Sequence, residues 1–165
     1  IYTLSLHDAL PICVSALKER ISNEMKAALL GRHRFRGDVL RSLKAAILNE
    51  EVSLVKRDEG LSDAEIERVI AREVKKRKES AELYRSNGRV ELADSEEKEA
   101  AILQEFLPKQ LSEDELRAVV AEVVAAMDEV SPQQMGQVIG LVKSKVGTAG
   151  DGAMIAKIVK ETLVK

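Results

Sequence analysis

Few side chains in this 165-residue sequence are suited to nucleophilic or metal chemistry. It contains two histidines, His7 and His33, and one cysteine, Cys13. A catalytic triad needs a histidine held beside its nucleophile, and a structural zinc site needs four nitrogen or sulfur ligands. The sequence therefore predicts no catalytic residue and no metal site.

Carboxylates are abundant, with 28 aspartates and glutamates, and could serve as general acids or bases. A working carboxylate needs a cleft that shifts its pKa. The spacing of the apolar residues instead predicts that these side chains lie on exposed helix faces and at helix caps. We interpret them as solvated charges.

Nucleotide-binding motifs are also absent, because no glycine-rich loop ends in Lys-Ser or Lys-Thr. The nearest candidate for a phosphate site is Gly147–Gly152, which leads into a helix N-terminus, where free amides attract anions. Asp151 is expected to occupy those amides with its own carboxylate. We therefore predict a tight turn in this segment, and no cofactor.

Positive charge is concentrated in two places that could bind a polyanion. The first lies in a long helix and just beyond it, and comprises Arg72, Lys75, Lys76, Arg77, Lys78, Arg85 and Arg89. The second lies in the last two helices and comprises Lys143, Lys145, Lys157 and Lys160. Because aromatic residues make up only 2% of the chain, base stacking is not expected. RNA would be bound through its phosphates and shape.

Charge is unevenly distributed along the chain, although the net charge is only −2. The segment Arg32–Lys44 has five cations and one anion, whereas Leu111–Val130 has one cation and six anions. From Ser131 onward, five lysines outnumber two carboxylates. Such patches can bind polyanions locally, but solvated helix faces show the same pattern. Both interpretations stay open on charge alone.

Apolar residues recur at steps of three and four from Val14 onward, which is typical of helices, and strand-like alternation is absent. Three capping boxes mark helix starts: Ser62–Glu65, Ser112–Glu115 and Ser131–Gln134. Gly136 and Gly140, four residues apart, could admit a close helix neighbour, which we expect to belong to the same chain.

Helix ends are indicated by glycine and proline. A break is expected at Gly31–Gly37, a second helix should end near Glu59–Gly60, and Pro108 should end a fourth. We predict an all-α fold with two parts. An N-terminal helical hairpin or bundle covers residues 14–108, and a small three-helix domain covers residues 109–165.

The first twelve residues, IYTLSLHDALPI, match neither the composition nor the periodicity of the rest. They correspond to the in-frame translation of a common sequencing adapter, whose last base would open the codon of Cys13. We expect residues 1–13 to be a disordered artefact of assembly, with residue 13 ambiguous. His33 would then be the only genuine histidine.

The compartment follows from the cysteine count. A single cysteine excludes internal disulfides, so a reducing cytoplasm is expected. No apolar run approaches the roughly 20 residues that cross a bilayer, so no membrane association is expected.

Several motifs, in order along the chain, are similar to those of the GatB/YqeY family. They are Leu43–Ala46 with Asn49–Glu51, Glu73–Ser80, Gly88–Arg89 with Leu92–Ala93, Phe106–Ser112, Met135–Gly140 and Asp151–Gly152. The resemblance runs from about Val14 to Lys165. One departure concerns the loop before Asp151, where Thr148 stands in place of the family's usual lysine or arginine and Gly150 is inserted.

The resemblance implies a helical N-terminal part and a C-terminal domain similar to the tail of the B subunit of tRNA-dependent amidotransferase. That enzyme converts Glu-tRNA(Gln) or Asp-tRNA(Asn) to the amide, and its tail is associated with holding tRNA. Family members are often labelled carbon–nitrogen ligases with glutamine as amido-N-donor. The separate domain in which that enzyme activates its substrate has no counterpart here.

Three hypotheses follow. The preferred one is a bacterial-type, tRNA-binding accessory protein related to amidotransferase function, without its own catalytic centre. The second is an amidotransferase component that acts in trans. The third is a helical protein–protein adaptor that binds no RNA. The partners implied are tRNA and possible amidotransferase subunits or an aminoacyl-tRNA synthetase, with no DNA specificity.

Overall fold

The computed structural model describes residues 15–127 and 132–163, and every regular element within these ranges is helical. The seven α-helices are α1 (Ala16–Leu30), α2 (Arg34–Ser53), α3 (Asp63–Ser86), α4 (Val90–Gln104), α5 (Glu113–Ala125), α6 (Met135–Val146) and α7 (Gly152–Leu163). The all-α prediction is confirmed. Residues 1–13, predicted to be an artefact, lie outside the described ranges.

The chain forms two compact units whose boundary lies between Phe106 and Leu107. We call them the N-terminal unit, which contains α1–α4, and the C-terminal unit, which contains α5–α7. The predicted number of three C-terminal helices agrees with the described residues.

Helix starts follow the predicted caps. Ser62 and Ser112 each accept the amide of a glutamate three residues on, and each glutamate accepts the serine amide in return, so both capping boxes are confirmed. The third predicted box begins at Ser131, which lies outside the described residues. Pro132–Gln134 is a short 3-10 turn, and α6 begins after it at Met135.

The predicted break at Gly31–Gly37 is too long. Helix α2 begins at Arg34, and Gly37 lies buried inside it. A Cβ at Gly37 would lie 2.5 Å from Cδ2 of Leu29 on α1, so the glycine serves close packing of the two helices rather than a break. Composition alone does not distinguish a glycine that ends a helix from one that admits a neighbour.

The end of α2 was placed too late. The helix stops at Ser53, and Val55 adopts a left-handed φ of 57°. The amide of Lys56 donates to the carbonyl of Glu51, which closes the helix end as glycine usually does. The prediction failed because apolar Leu54 continues the helical spacing, although its side chain is 47% exposed.

The N-terminal unit consists of two helical hairpins that pack on each other. Helices α1 and α2 form one and α3 and α4 the other, while α2 contacts both helices of the second hairpin. Apolar side chains spaced by three and four residues fill the space between them. The core comprises Ile21, Leu40, Leu43, Ile47, Leu61, Ile66, Val69, Ile70, Leu103 and Phe106, among others.

The C-terminal unit has its own core, built from one buried face of each helix. It comprises Leu116, Val120, Val138, Val142, Ile155, Ile158 and Val159, all at most 1% exposed. Burying such side chains contributes roughly 1.5–3 kcal/mol each. Each of α5, α6 and α7 packs against the other two.

The expected close neighbour of Gly136 and Gly140 is not present among the described residues. Nothing lies within 4 Å of a Cβ built at either glycine. Gly150 behaves differently, because a Cβ there would lie 2.4 Å from Cγ2 of Val146 and 2.9 Å from Cδ1 of Ile155. The inserted glycine of this loop is therefore needed for packing.

Candidate nucleic-acid interface

Arg77, one of the predicted phosphate ligands, lies on the core side of α3. Its side chain is only 13% exposed, and its Nη1 and Nε donate to Glu73 and Glu99 at 2.9 and 2.8 Å. A guanidinium held by two carboxylates between α3 and α4 fixes the hairpin. Arg77 is better interpreted as structural than as a residue that contacts RNA.

Three other predicted residues of this region are exposed and paired. Arg72 contacts Glu50 on α2 at 2.7 Å, and Lys75 lies 3.7 Å from Glu79. Arg85 contacts Glu97 at 2.7 Å and Asp94 at 3.4 Å on α4. Exposed pairs of this kind contribute at most about 1 kcal/mol to stability, but the carboxylates partly neutralise these three cations.

The hydrogen bond that Arg85 donates to Glu97 raises the pKa of Arg85, and the nearby charge of Asp94 acts in the same direction. Arg85 therefore stays charged at any physiological pH. The same hydrogen bond lowers the pKa of Glu97, because it stabilises the charged carboxylate.

Lys76, Lys78 and Arg89 complete the first predicted group. All three are exposed, and no carboxylate of the described residues lies within 4 Å of their charged nitrogens. At 3.6 residues per turn, Lys76 and Lys78 lie on opposite edges of the outward half of α3, with Arg72 and Lys75 between them. This outward half of α3 is therefore the more accessible part of the predicted interface.

The second predicted group also contains both paired and unpaired lysines. Lys145 contacts Glu122 at 2.6 Å, and Lys157 lies 3.9 Å from Glu113. Lys143 and Lys160 are exposed, and no carboxylate within the described ranges lies within 4 Å of either ammonium.

The loop before α7 contains no free anion site. The amide of Met154 donates to Oδ1 of Asp151 at 2.8 Å, as the sequence predicts. Lys143 lies beside this loop, since its Nζ would be 3.5 Å from a Cβ at Gly152. The helix start is capped by the chain itself, and only the lysine beside it remains to attract phosphate.

The prediction that carboxylates lie on exposed faces and at caps is wrong for Glu51, which is 2% exposed. Its Oε1 accepts a hydrogen bond from Lys18 on α1 and a longer one, 3.4 Å, from the amide of Leu61. The signal was present in the sequence, because Glu51 continues the apolar stripe of Leu43 and Ile47 at steps of four. Both hydrogen bonds are made within the N-terminal unit. The carboxylate of Glu51 therefore links α2 to α1 and to the segment just before α3.

Residues 15–127 and 132–163 contain no group of three or more His, Cys, Asp or Glu side chains arranged to hold a metal ion. Of the helices described, none is long and apolar enough to cross a membrane.

Comparison with known proteins identifies the family. The family model described as Yqey-like protein matches residues 18–163, almost the whole described chain. The chain belongs to the YqeY-like family. The matched range includes both units and all the cations named above.

Two yeast proteins are similar in sequence to this YqeY-like chain. An uncharacterized protein of Schizosaccharomyces pombe, C22F3.15, is 27% identical over 104 residues, which cover 63% of this chain and 79% of the relative. Altered inheritance of mitochondria protein 41, mitochondrial, of Kluyveromyces lactis is 28% identical over 136 residues, which cover 80% of this chain and 70% of that protein. The names of these two relatives state no ligand and no reaction.

Proposed function

We propose that this YqeY-like chain is a tRNA-binding accessory protein of tRNA-dependent amidation, acting in the cytoplasm and without a catalytic centre of its own. The observation that carries the proposal is the set of exposed cations without a carboxylate partner on α3 and on α6–α7. The resemblance of the C-terminal unit to the amidotransferase tail supplies the class of partner.

Contact through phosphates fits the composition of the two groups. Lysines spaced over two turns of a helix can follow a phosphate backbone, and they carry no information about base identity. The chain therefore needs a structured RNA of suitable shape rather than a particular sequence. The amidotransferase subunits, or a synthetase that charges the tRNA, would supply the chemistry.

Titration with bulk tRNA at increasing salt tests the proposal. We expect the logarithm of the binding constant to fall steeply with the logarithm of the salt concentration, by about 0.7–0.9 per phosphate contact. A Lys76→Gln/Lys78→Gln variant, which removes the two unpaired lysines of α3, should reduce that slope by about 1.5–2. The matched control is Lys56→Gln/Arg117→Gln, which removes two paired cations and the same charge.

The results separate the two groups of lysines. A Lys143→Gln/Lys160→Gln variant that changes the slope more than the α3 variant would place the main contact in the C-terminal unit. Absence of tRNA binding at low salt would exclude the proposal. Stimulation of Glu-tRNA(Gln) amidation by added protein would favour the hypothesis of a component acting in trans.

A protein–protein adaptor is the second candidate, and one observation favours it. Leu48, Val52 and Val55 are 48%, 56% and 91% exposed at the C-terminal end of α2, where they form an apolar surface. Exposed apolar patches of this kind often bind proteins. A partner that is captured after nuclease treatment and lost in a Leu48→Gln/Val52→Gln variant would support the adaptor.

A further inference from the structure

The turn between α1 and α2 combines exposed positive charge with exposed apolar side chains. Leu30, the last residue of α1, is 86% exposed, and Phe35, in the first turn of α2, is 45% exposed. Between them, Arg32, His33 and Arg34 are also exposed. This segment, Leu30–Phe35, is called the α1–α2 tip below.

The cations of the α1–α2 tip are not neutralised by the fold. No carboxylate within the described ranges lies within 4 Å of the charged nitrogens of Arg32, Arg34 or nearby Lys26. The next two arginines of α2 differ, since Arg36 donates to Glu24 and Glu105 at 2.6 and 2.8 Å and Arg41 donates to Asp38 at 2.8 Å. In the basic segment Arg32–Lys44, the two exposed arginines at the N-terminal end, Arg32 and Arg34, therefore have no carboxylate partner among the described residues.

Arg32 also occupies a backbone position that suits glycine better. Its φ is 61°, and the amide of His33 donates to the carbonyl of Ala28 at 2.9 Å, which is the hydrogen-bond pattern of a helix end closed by a left-handed residue. A side chain in this conformation is disfavoured relative to glycine. Closing the helix favours glycine at this position, so it does not account for the presence of an arginine. The guanidinium is free to contact a molecule outside the chain.

We propose that the α1–α2 tip is a contact surface for structured RNA. Arg32 and Arg34 bind backbone phosphates, with Lys26 in support, while Leu30 and Phe35 pack against the sugars and base faces beside them. This inference rests on the proposed function and adds to it a second contact, separate from the predicted lysines of α3.

RNA fits the α1–α2 tip better than an anionic membrane does. Only Leu30 is fully exposed among its apolar side chains, and a single leucine gives too little apolar burial to hold a protein at a bilayer. Phe35 is half-buried, so its ring can cover a flat surface but cannot insert. Arginine, by contrast, binds phosphate through two nitrogens and lies flat on exposed bases.

The first test compares two double variants of the full chain in the tRNA titration. Arg32→Gly/Arg34→Gln removes two unpaired cations, and Arg41→Gln/Arg117→Gln removes two paired ones. We expect the first to reduce the salt slope by about 2 and the second to leave it nearly unchanged. A third variant, Phe35→Ser, should weaken binding about tenfold at fixed salt without altering the slope.

A second measurement excludes a purely structural cause. Because glycine adopts the φ of Arg32 without strain, Arg32→Gly alone should bind tRNA more weakly while its thermal unfolding midpoint does not fall. A lower midpoint with unchanged affinity would show that Arg32 is needed for folding only, which contradicts the inference.

The remaining outcomes are distinguishable. If the wild-type chain binds tRNA and both double variants behave alike, the α1–α2 tip is not a contact and the α3 site stands alone. If the wild-type chain does not bind, the proposed function and this inference fall together. If the tip variant loses binding to vesicles containing phosphatidylserine but keeps its affinity for tRNA, the partner is a membrane and the inference is wrong.

Discussion

The two units differ in what their helices bury. The N-terminal unit encloses the side chain of Glu51 and most of the side chain of Arg77, whereas the buried side chains of the described C-terminal unit are all apolar. Ion pairs in the C-terminal unit lie on its surface, as between Arg117 and Glu161. In the N-terminal unit, shielded ion pairs therefore hold the two helices of each hairpin together, whereas the buried contacts among α5, α6 and α7 are apolar.

The largest expected effect concerns the apolar core of the C-terminal unit. Ile158→Ala removes a side chain that is 1% exposed, and the cavity left should lower the free energy of unfolding by about 2–5 kcal/mol. Urea denaturation combined with amide hydrogen exchange in α5–α7 measures the loss. Leu141→Ala, at a position 45% exposed, is the control and should change stability by less than about 0.5 kcal/mol.

The N-terminal unit should respond to the loss of a charge. Glu51→Leu leaves Lys18 and the amide of Leu61 without their acceptor, so we expect a loss of about 2–3 kcal/mol. The neighbouring Glu50→Gln, which loosens only an exposed pair with Arg72, should lose less than about 1 kcal/mol.

A double variant distinguishes pairing from packing in this cluster. If the unpaired ammonium of Lys18 causes the loss of stability in Glu51→Leu, adding Lys18→Met should restore part of the free energy of unfolding. Equal stability of Glu51→Leu and Glu50→Gln would show that the buried ion pair does not stabilise the N-terminal unit.

Glycines offer a matched test in the two units. Gly37→Ala would place a methyl group 2.5 Å from Leu29 and should lower the free energy of unfolding by about 1–2 kcal/mol. Gly140→Ala adds a methyl group with nothing within 4 Å and should raise it by about 0.5–1 kcal/mol. Thermal unfolding of both variants checks the opposite signs. A loss in Gly140→Ala would indicate a close neighbour that this chain does not provide.

These glycines also show how far the sequence could be interpreted. Helices and capping boxes were predictable because their signals are local: Ser62 and Glu65 lie three residues apart and contact each other directly. The role of Gly37 depends on its close approach to Leu29 on a different helix. A local sequence pattern carries no information about contacts between helices.

The candidate interface shows the same limit. Charge density along the sequence located the basic run of α3 but could not separate exposed Lys76 from Arg77, whose carboxylate partner Glu99 lies on another helix. Charge density also did not single out Arg32 and Arg34, which have no carboxylate partner among the described residues. Pairing with residues distant in sequence decides which cations remain available.

The smallest expected effect distinguishes the two capping boxes by their pKa values. The hydrogen bond from Lys56, together with those from the amide and hydroxyl of Ser62, lowers the pKa of Glu65 from 4.5 to about 2. The pKa of Glu115 is lowered chiefly by the amide and then the hydroxyl of Ser112, and no lysine donates a hydrogen bond to it.

Since the folded pKa of Glu65 lies below its unfolded value, its contribution to stability is fully present above about pH 4.5 and is lost as the pH falls towards 2. NMR titration of the side-chain carboxyl groups measures both glutamates directly. Lys56→Gln should raise the pKa of Glu65, because it removes a hydrogen bond to that carboxylate, and should leave the pKa of Glu115 unchanged, because Ser112 rather than Lys56 donates to it. A shift of both would mean that net charge, rather than the local hydrogen bond, sets these values, and the caps would then no longer distinguish the two units.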